Sequence, residues 1–258
     1  MKLSIITINR NNAKGLIKTI ESVIAQTFND FEYIVVDGAS NDNSVDVIKQ
    51  YQDHITYWIS EPDSGIYNAM NKGIKCASGE YCLFLNSGDC LSDKQVLTNV
   101  FKEELKEITV GYVKEFCSDR SIMFPSKFLE FRILYHANFP HQAEFIKRTL
   151  FDQYGYYSED LRILSDYEFN IKCVINNCSI KFLDLCVSFV EAGGISSVDC
   201  SQIDKERSKI FDNILPKCII NDYEYWYREG FKKCQLINWL EKNKTIYRFI
   251  KFLYSVSE

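Results

Sequence analysis

Two hydrophobic periods alternate along the first hundred residues. Leu3 to Ile8 (LSIITI) is a largely apolar run of strand length, and Ala13, Leu16, Ile17, Ile20, Val23 and Ile24 then recur at helical spacing. Asn11 or Asn12 stands where that helix needs a cap. Residues 31–37 (FEYIVVD) read as a second strand, followed by a helix carrying Val47, Ile48 and Tyr51. Residues 55–60 (ITYWIS) read as a third, and Ile66, Ala69, Met70, Gly73, Ile74 and Ala77 as the next helix. That helix is expected to be capped by Asp63 or Ser64 and closed by Gly79. Residues 80–86 (EYCLFLN) read as a fourth strand.

Short apolar strands separated by amphipathic helices specify an α/β chain whose parallel sheet is covered on both faces, with any ligand at the carboxyl ends of the strands. The polar residues collect there. Thr7 and Asn9 follow the first strand, Asp37 ends the second, Glu61 and Asp63 follow the third, and Asn86 to Asp89 follow the fourth. The second half is less regular, with strands expected near 108–115 and 180–190, a helix over 165–178 and helical structure after about 201. This divides the chain into 1–200, with halves 1–100 and 101–200, and an extension over 201–258.

Composition narrows the class. The chain of 258 residues is 46% hydrophobic and 25% charged, an ordinary folded composition. Thirty basic residues against thirty-five acidic ones give −5, which argues against a general nucleic-acid surface. The ten cysteines are dispersed, several within apolar stretches, and no CxxC occurs, so reduced thiols and a cytoplasmic setting are expected. The apolar run at the start is too short for a signal peptide, and no stretch approaches the roughly 20 residues of a spanning helix.

The order SIITINRN, VVDGASND (35–42), SEPDSGIYNAMNKGIKCASGEYCLFLNSGD (60–89), PHQAEF (140–145) and SDYEF (165–169) resembles the inverting family 2 glycosyltransferases of the bacterial surface-polysaccharide branch, over about residues 1–195. The resemblance implies a GT-A fold: a Rossmann-like nucleotide-binding domain with a mostly parallel central sheet, here with a helical C-terminal extension. It implies transfer of a sugar from a nucleotide donor, a UDP-sugar by expectation, to a glycan or lipid-linked acceptor with inversion. Hexosyl and N-acetylhexosaminyl transfer both fit.

On that resemblance Asp37 holds the nucleoside and Thr7 and Asn9 line its pocket. Read locally, Asp37-Gly38 is also a turn and Asp42 a helix cap. Asp63 contacts base or ribose, or caps a helix, or both; Asn71 and Lys72 flank the nucleotide and its phosphates, although Lys72 also reads as a solvated helix charge. The stretch LNSGD stands at the family's acidic metal motif, with Asn86 and Gly88 where relatives place carboxylates. Asp89 is therefore the single charged ligand for Mg²⁺ or Mn²⁺, and Asn86 and Ser87 are sugar or ribose contacts. Asp166 falls at the position of the base that removes the acceptor's proton. Ser165-Asp166-Tyr167-Glu168 is equally a capping box. His141 is a candidate substrate contact, and Gly193 to Ser196 can present backbone N–H groups to a phosphate or form a plain turn.

From Lys232 to Lys251, six basic residues accompany one acid, Glu241, and Leu236, Trp239, Leu240, Tyr247, Ile250 and Tyr254 supply an apolar, aromatic complement. A basic, aromatic helix of this kind suits peripheral contact with the inner face of an anionic membrane, and it suits equally well packing on its own domain or on a second copy in a homodimer. A dehydrogenase is disfavoured by the absence of G-x-G-x-x-G at TINRNNAKG, and a nucleotidylyltransferase by the missing glycine-rich loop. The alternative from another class is a catalytically silent nucleotide-sugar-binding partner of a polysaccharide assembly complex.

Overall fold

A computed structural model describes residues 1–116, 120–123, 129–135, 137–191 and 200–243. The chain divides into two units, Met1–Glu206 and Arg207–Glu258. In the first unit, β1 (Leu3–Asn9), α1 (Ala13–Ile24), β2 (Phe31–Asp37), α2 (Ser44–Gln50), β3 (Tyr57–Ser60), α3 (Ile66–Cys76) and β4 (Tyr81–Phe84) follow the expected alternation. Then come β5 (Cys90–Leu91), α4 (Val96–Val100), β6 (Ile108–Glu115), β7 (Ser121–Ile122), α5 (Phe131–Leu134), β8 (Glu144–Lys147), α6 (Thr149–Tyr154), α7 (Ser165–Ile175) and β9 (Ile180–Val190). The helices α8 (Cys200–Ile214) and α9 (Lys217–Lys242) complete the described elements. Residues 193–196 and the end of the basic segment, from Lys244 on, lie outside the described residues.

Among the described residues, nine strands form one sheet in the order β3-β2-β1-β4-β8-β6-β9-β5, with β7 on β6. The first four are parallel. Beyond β4 the sheet is mixed rather than mostly parallel: β8 runs antiparallel to both β4 and β6, β9 parallel to β6, and β5 antiparallel to β9. Antiparallel neighbours need no helical crossover, which is why the regular strand-helix rhythm fades in the second half of the sequence.

All seven residues of β1 are buried, as a strand covered on both faces requires. On one face Leu16, Ile20 and Val23 of α1 and Val47 and Ile48 of α2 join Leu3, Ile5, Tyr33 and Val35 in one apolar cluster. On the other, α3 packs over β1 and β2 with Met70 and Ile74 buried. Each such side chain contributes about 1.5–3 kcal/mol on leaving water.

The helix ends depart from expectation in three places. Asn12 caps α1 by accepting from the Gly15 N–H at 3.0 Å, but α3 begins after Gly65 with no side-chain cap; Asp63 instead accepts from the Gly65 N–H at 3.0 Å in the preceding turn. Gly79 does not close α3, which ends at Cys76. It sits where a Cβ would collide with the backbone of Leu3 and Ser4, so its role is close approach to β1. Residues 165–168 form no capping box. The cap position is Leu164, the Ser165 hydroxyl has no partner, and Glu168 pairs with Lys172 at 3.1 Å. The N–H groups leading into α7 are taken from afar: the buried Glu206 carboxylate accepts from Arg162, Ile163 and Leu164 at 2.9–3.0 Å.

Candidate active site

The parallel register places Asn9 opposite Asp37, and Asp37 opposite Ser60, at the carboxyl edge of three neighbouring strands. Asp37 is fully buried and its carboxylate is surrounded by donors. Oδ1 accepts from Asn9 Nδ2 at 2.7 Å and Ser40 Oγ at 2.6 Å, and Oδ2 from the Ser40 N–H at 2.9 Å and Ser60 Oγ at 2.6 Å. Thr7 lies on β1 two residues deeper than Asn9, unexposed, with its hydroxyl accepting from Tyr33 at 3.0 Å.

Where the strand order reverses between β1 and β4, a cleft of about 420 Å³ opens at the strand ends, the position at which open α/β sheets take ligands. Asn9 and Asn12 from the β1 end, Asp63 and Gly65 from the start of α3, and Asn86 and Ser87 after β4 line it. Arg10 reaches Asp63 at 3.7 Å across the mouth. The 86–89 turn is pinned from α1: Asn12 donates to the Ser87 carbonyl at 2.9 Å and Thr19 Oγ1 accepts from the Gly88 N–H at 2.9 Å. Gly88 has φ +110°, a conformation in which a side chain is strained, so a glycine there lets the chain turn Asp89 inward.

Three of the expected nucleotide contacts are turned away from the cleft, and Asp37, fully buried with both oxygens taken by Asn9, Ser40 and Ser60, is the first of them. Thr7 is in the core beneath the cleft floor. Asn71 is buried against the 157–159 loop, bonding the Tyr157 N–H and carbonyl and Glu159, because a carboxamide on the inner face of α3 satisfies that loop's backbone. Lys72 is held at the cleft's flank by Glu61 (2.7 Å) and the Pro62 carbonyl (2.8 Å).

Burial raises the Asp89 carboxyl to about 6, against the lowering effects of the nearby His141 and hydrogen bonds from Gln142 and the Asn86 N–H. That N–H donates to Oδ2 at 3.1 Å. Asn86 Nδ2 meets His141 Nε2 at 3.2 Å, and Asn86 Oδ1 is buried without a partner. On the other side of the ring, His141 Nδ1 lies 3.6 Å from Asp166 Oδ2. Burial alone would lower the imidazole; the Asp166 hydrogen bond and the charges of Asp166 and Asp89 outweigh it and raise it. Asn86, His141 and Asp166 therefore form one continuous line leading from the cleft into the start of α7.

Asp166 is also held by residues that sequence reasoning missed. Tyr67 contacts Oδ1 at 2.9 Å and Asn138 donates to Oδ2 at 2.9 Å. Behind Asn138, Asn170 Nδ2 donates to its Oδ1 at 3.1 Å and reaches Glu144 Oε2 at 3.4 Å. Glu144 is 1% exposed, and burial lifts its carboxyl to about 8, opposed by the Asn170 hydrogen bond and reinforced by Asp166. The signal for Tyr67 lay within SGIYNAMNKG and that for Asn138 two residues before PHQ. That for Glu144 lay within PHQAEF, although a lone acid in a short strand reads as solvent-facing.

An α/β sheet with a polar cleft at its switch point serves many chemistries, and comparison with known proteins identifies the family. The model "Glycosyl transferase family 2" matches residues 4–161. A "PGL/p-HBAD biosynthesis glycosyltransferase" of Mycobacterium tuberculosis is 32% identical over 213 residues, 80% of this chain and 82% of the relative. An uncharacterized glycosyltransferase of the same species is 34% identical over 180 residues, 67% of this chain and 69% of the relative. The chain belongs to glycosyl transferase family 2. Among solved structures, S. aureus TarS 1–349 in complex with UDP-GlcNAc superposes with TM-score 0.68 at 23% identity, covering 86% of this chain and 70% of that one. This chain spans 42% of the longer TarS chain. The mannosyltransferase PcManGT of Pyrobaculum calidifontis, in complex with GDP-Man and Mn²⁺, gives TM-score 0.60 at 16% identity, covering 75% and 58%. These likenesses establish a GT-A glycosyltransferase fold. Among the described residues no helix is long and apolar enough to cross a membrane.

Proposed function

We propose that the chain transfers a sugar, with inversion, from a UDP-sugar to a glycan or lipid-linked acceptor of a surface polysaccharide, with Asp166 as the base. The observation that carries this reading is the line Asn86–His141–Asp166, which joins a cleft at the strand switch point to a buried carboxylate held on both oxygens. Asn9, Asp63, Asn86 and Ser87 contact the nucleotide sugar in the cleft, and Asp37 fixes the wall they stand on by holding Asn9 and the Ser40 turn. The UDP-GlcNAc complex of TarS supports the choice of donor. Lys72, paired with Glu61, is the cation this reading assigns to the phosphates.

The acidic turn fits a divalent cation only in part. Among the described residues no three His, Cys, Asp or Glu side chains gather as a metal site. Yet the Asp89 carboxylate and the orphaned carboxamide oxygen of Asn86 are hard oxygen donors on one turn, and Mg²⁺ or Mn²⁺ is commonly held by one or two carboxylates with water and substrate phosphates. Bound there, the ion would neutralise charge on the departing diphosphate. The chain's own contribution is to hold that turn rigid from α1, to orient Asp166, and to receive the acceptor's proton on it. Exposed Tyr225 and Trp226 on α9 are side chains of the kind that settle at a membrane interface, which supports peripheral attachment near a lipid-linked acceptor.

Calorimetric titration with UDP, GDP and UDP-GlcNAc, with and without Mn²⁺, tests the donor assignment. Uridine nucleotides should bind, more tightly with Mn²⁺, and Asp63→Ala should weaken them. A folded protein that takes up none of these nucleotides at millimolar concentration refutes it.

A further inference from the structure

The two oxygens of Asp166 stand in unequal surroundings. Asn138 is locked in one orientation, because its Oδ1 accepts from the Phe139 backbone N–H at 2.9 Å and from Asn170 at 3.1 Å. A backbone N–H cannot become an acceptor, so the amide cannot flip and Nδ2 must donate to Asp166 Oδ2. His141 Nδ1 faces the same Oδ2. Oδ2 thus keeps a fixed donor in Asn138, with the His141 ring 3.6 Å away beside it.

Oδ1 has a different partner. The Tyr67 hydroxyl lies within hydrogen-bonding distance of both Oδ1 (2.9 Å) and the Ile163 carbonyl (2.5 Å). It has a single proton to give, and the carbonyl can only accept. The phenol itself is held un-ionised, raised well above its usual range by burial and by the Asp166 charge.

Resting on the assignment of Asp166 as the base, we infer that Oδ1 is the oxygen that takes the acceptor's proton, that Tyr67 is a switchable donor to it, and that Asn138, locked by Asn170, is the residue that orients it. While the carboxylate is charged, the hydroxyl proton turns to Oδ1, since bonds to an ionised acceptor are the stronger. As the acceptor O–H breaks and its oxygen bonds the anomeric carbon, the bond from that carbon to the diphosphate oxygen breaks with its electron pair. The released proton goes to the remaining lone pair of Oδ1, and the tyrosine proton swings to the Ile163 carbonyl. Oδ2 keeps the Asn138 hydrogen bond throughout, so the carboxyl does not rotate. Tyr67 and Asn138 are positioning residues: they act through Asp166.

The test is UDP-GlcNAc hydrolysis, water serving as acceptor, followed as kcat from pH 5 to 9 for the parent, Tyr67→Phe, Asn138→Leu and the control Glu168→Gln. Losing one donor to the ionised base should lower the Tyr67→Phe rate about tenfold on the acidic limb of the profile while the plateau stays within about threefold. Asn138→Leu should move the limb likewise and lower the plateau about tenfold, because the carboxyl is then free to turn. Glu168→Gln should keep the parental profile. A structural role alone predicts a lower Tm with the limb unmoved, and that result in Tyr67→Phe overturns the inference even if Asn138→Leu fails to fold. A parent that turns over neither UDP-GlcNAc nor any other UDP-sugar at any pH refutes the functional reading and this inference with it; an active parent whose variants retain its profile refutes this inference alone.

Discussion

Replacing Glu144 by glutamine removes one titrating group from the most deeply buried part of the Asp166 network while keeping an oxygen for Asn170 to bond. In the folded protein burial holds the Glu144 carboxyl at about 8, against a usual 4.5. Between those values the unfolded chain has released the proton and the folded chain still binds it, so ν_U − ν_N is −1 and stability falls as pH rises. The slope is about 1.4 kcal/mol per pH unit, and over the interval of about 3.5 units the ceiling is on the order of 5 kcal/mol. The group is fully buried, so solvent screening does not reduce this. Urea unfolding of parent and Glu144→Gln at pH 4.5, 6.5 and 8 reads the difference directly. The two should agree within about 1 kcal/mol at pH 4.5, and glutamine should be the more stable by about 3 kcal/mol or more at pH 8, or roughly 6–12 °C in Tm. Parallel curves, or a glutamine variant weaker at pH 8, would show that Glu144 ionises without penalty and that the burial argument is wrong.

Asp89→Asn should behave similarly on a smaller scale. Its folded value of about 6 against 3.8 makes stability fall between those pH values, so the variant gains up to about 3 kcal/mol at pH 8 while losing any Mn²⁺-dependent gain in UDP affinity; unchanged Mn²⁺ dependence in calorimetry contradicts the ligand role. Asp37→Ala strands the donors of Asn9, Ser40 and Ser60 in a buried site and should cost about 3 kcal/mol or more, with weaker UDP binding at temperatures where it is folded; parental stability by thermal melt would contradict the four-donor description.

The parallel half of the fold was legible because its signal is local. Strands β1, β2 and β4 are largely apolar runs, and α1 and α3 show their buried faces in the spacing of Leu16, Ile20 and Val23 or of Met70 and Ile74. Strand ends were legible too: Asn9, Asp63, Asn86 and Ser87, each read there, line one cleft, whereas Thr7 and Asp37 at the same ends are buried beneath it. What could not be read was which way a polar side chain turns. Asn71 looks like a phosphate neighbour until the 157–159 loop is seen against it, and Glu168 looks like a cap until Glu206, 38 positions further along, is found holding the same helix start. The enclosure of Asp166 joins Tyr67, Asn138, Asn170 and Glu144 across α3, the loop before β8, α7 and β8. No periodicity or spacing encodes contacts between elements that far apart in the chain.

The central claim is that this chain turns over a nucleotide sugar through Asp166. UDP release from UDP-GlcNAc and other UDP-sugars, measured for the parent and Asp166→Asn alongside the affinity of each for UDP, tests it most directly. A positioned base contributes about 10²- to 10⁴-fold, and it acts in the transition state rather than on ground-state donor binding. The account predicts a loss of that size in Asp166→Asn with UDP affinity nearly unchanged. Parental turnover in Asp166→Asn, or tight UDP binding with no sugar released from any UDP-sugar by the parent, would contradict it, and the second outcome would instead fit a catalytically silent nucleotide-sugar-binding partner.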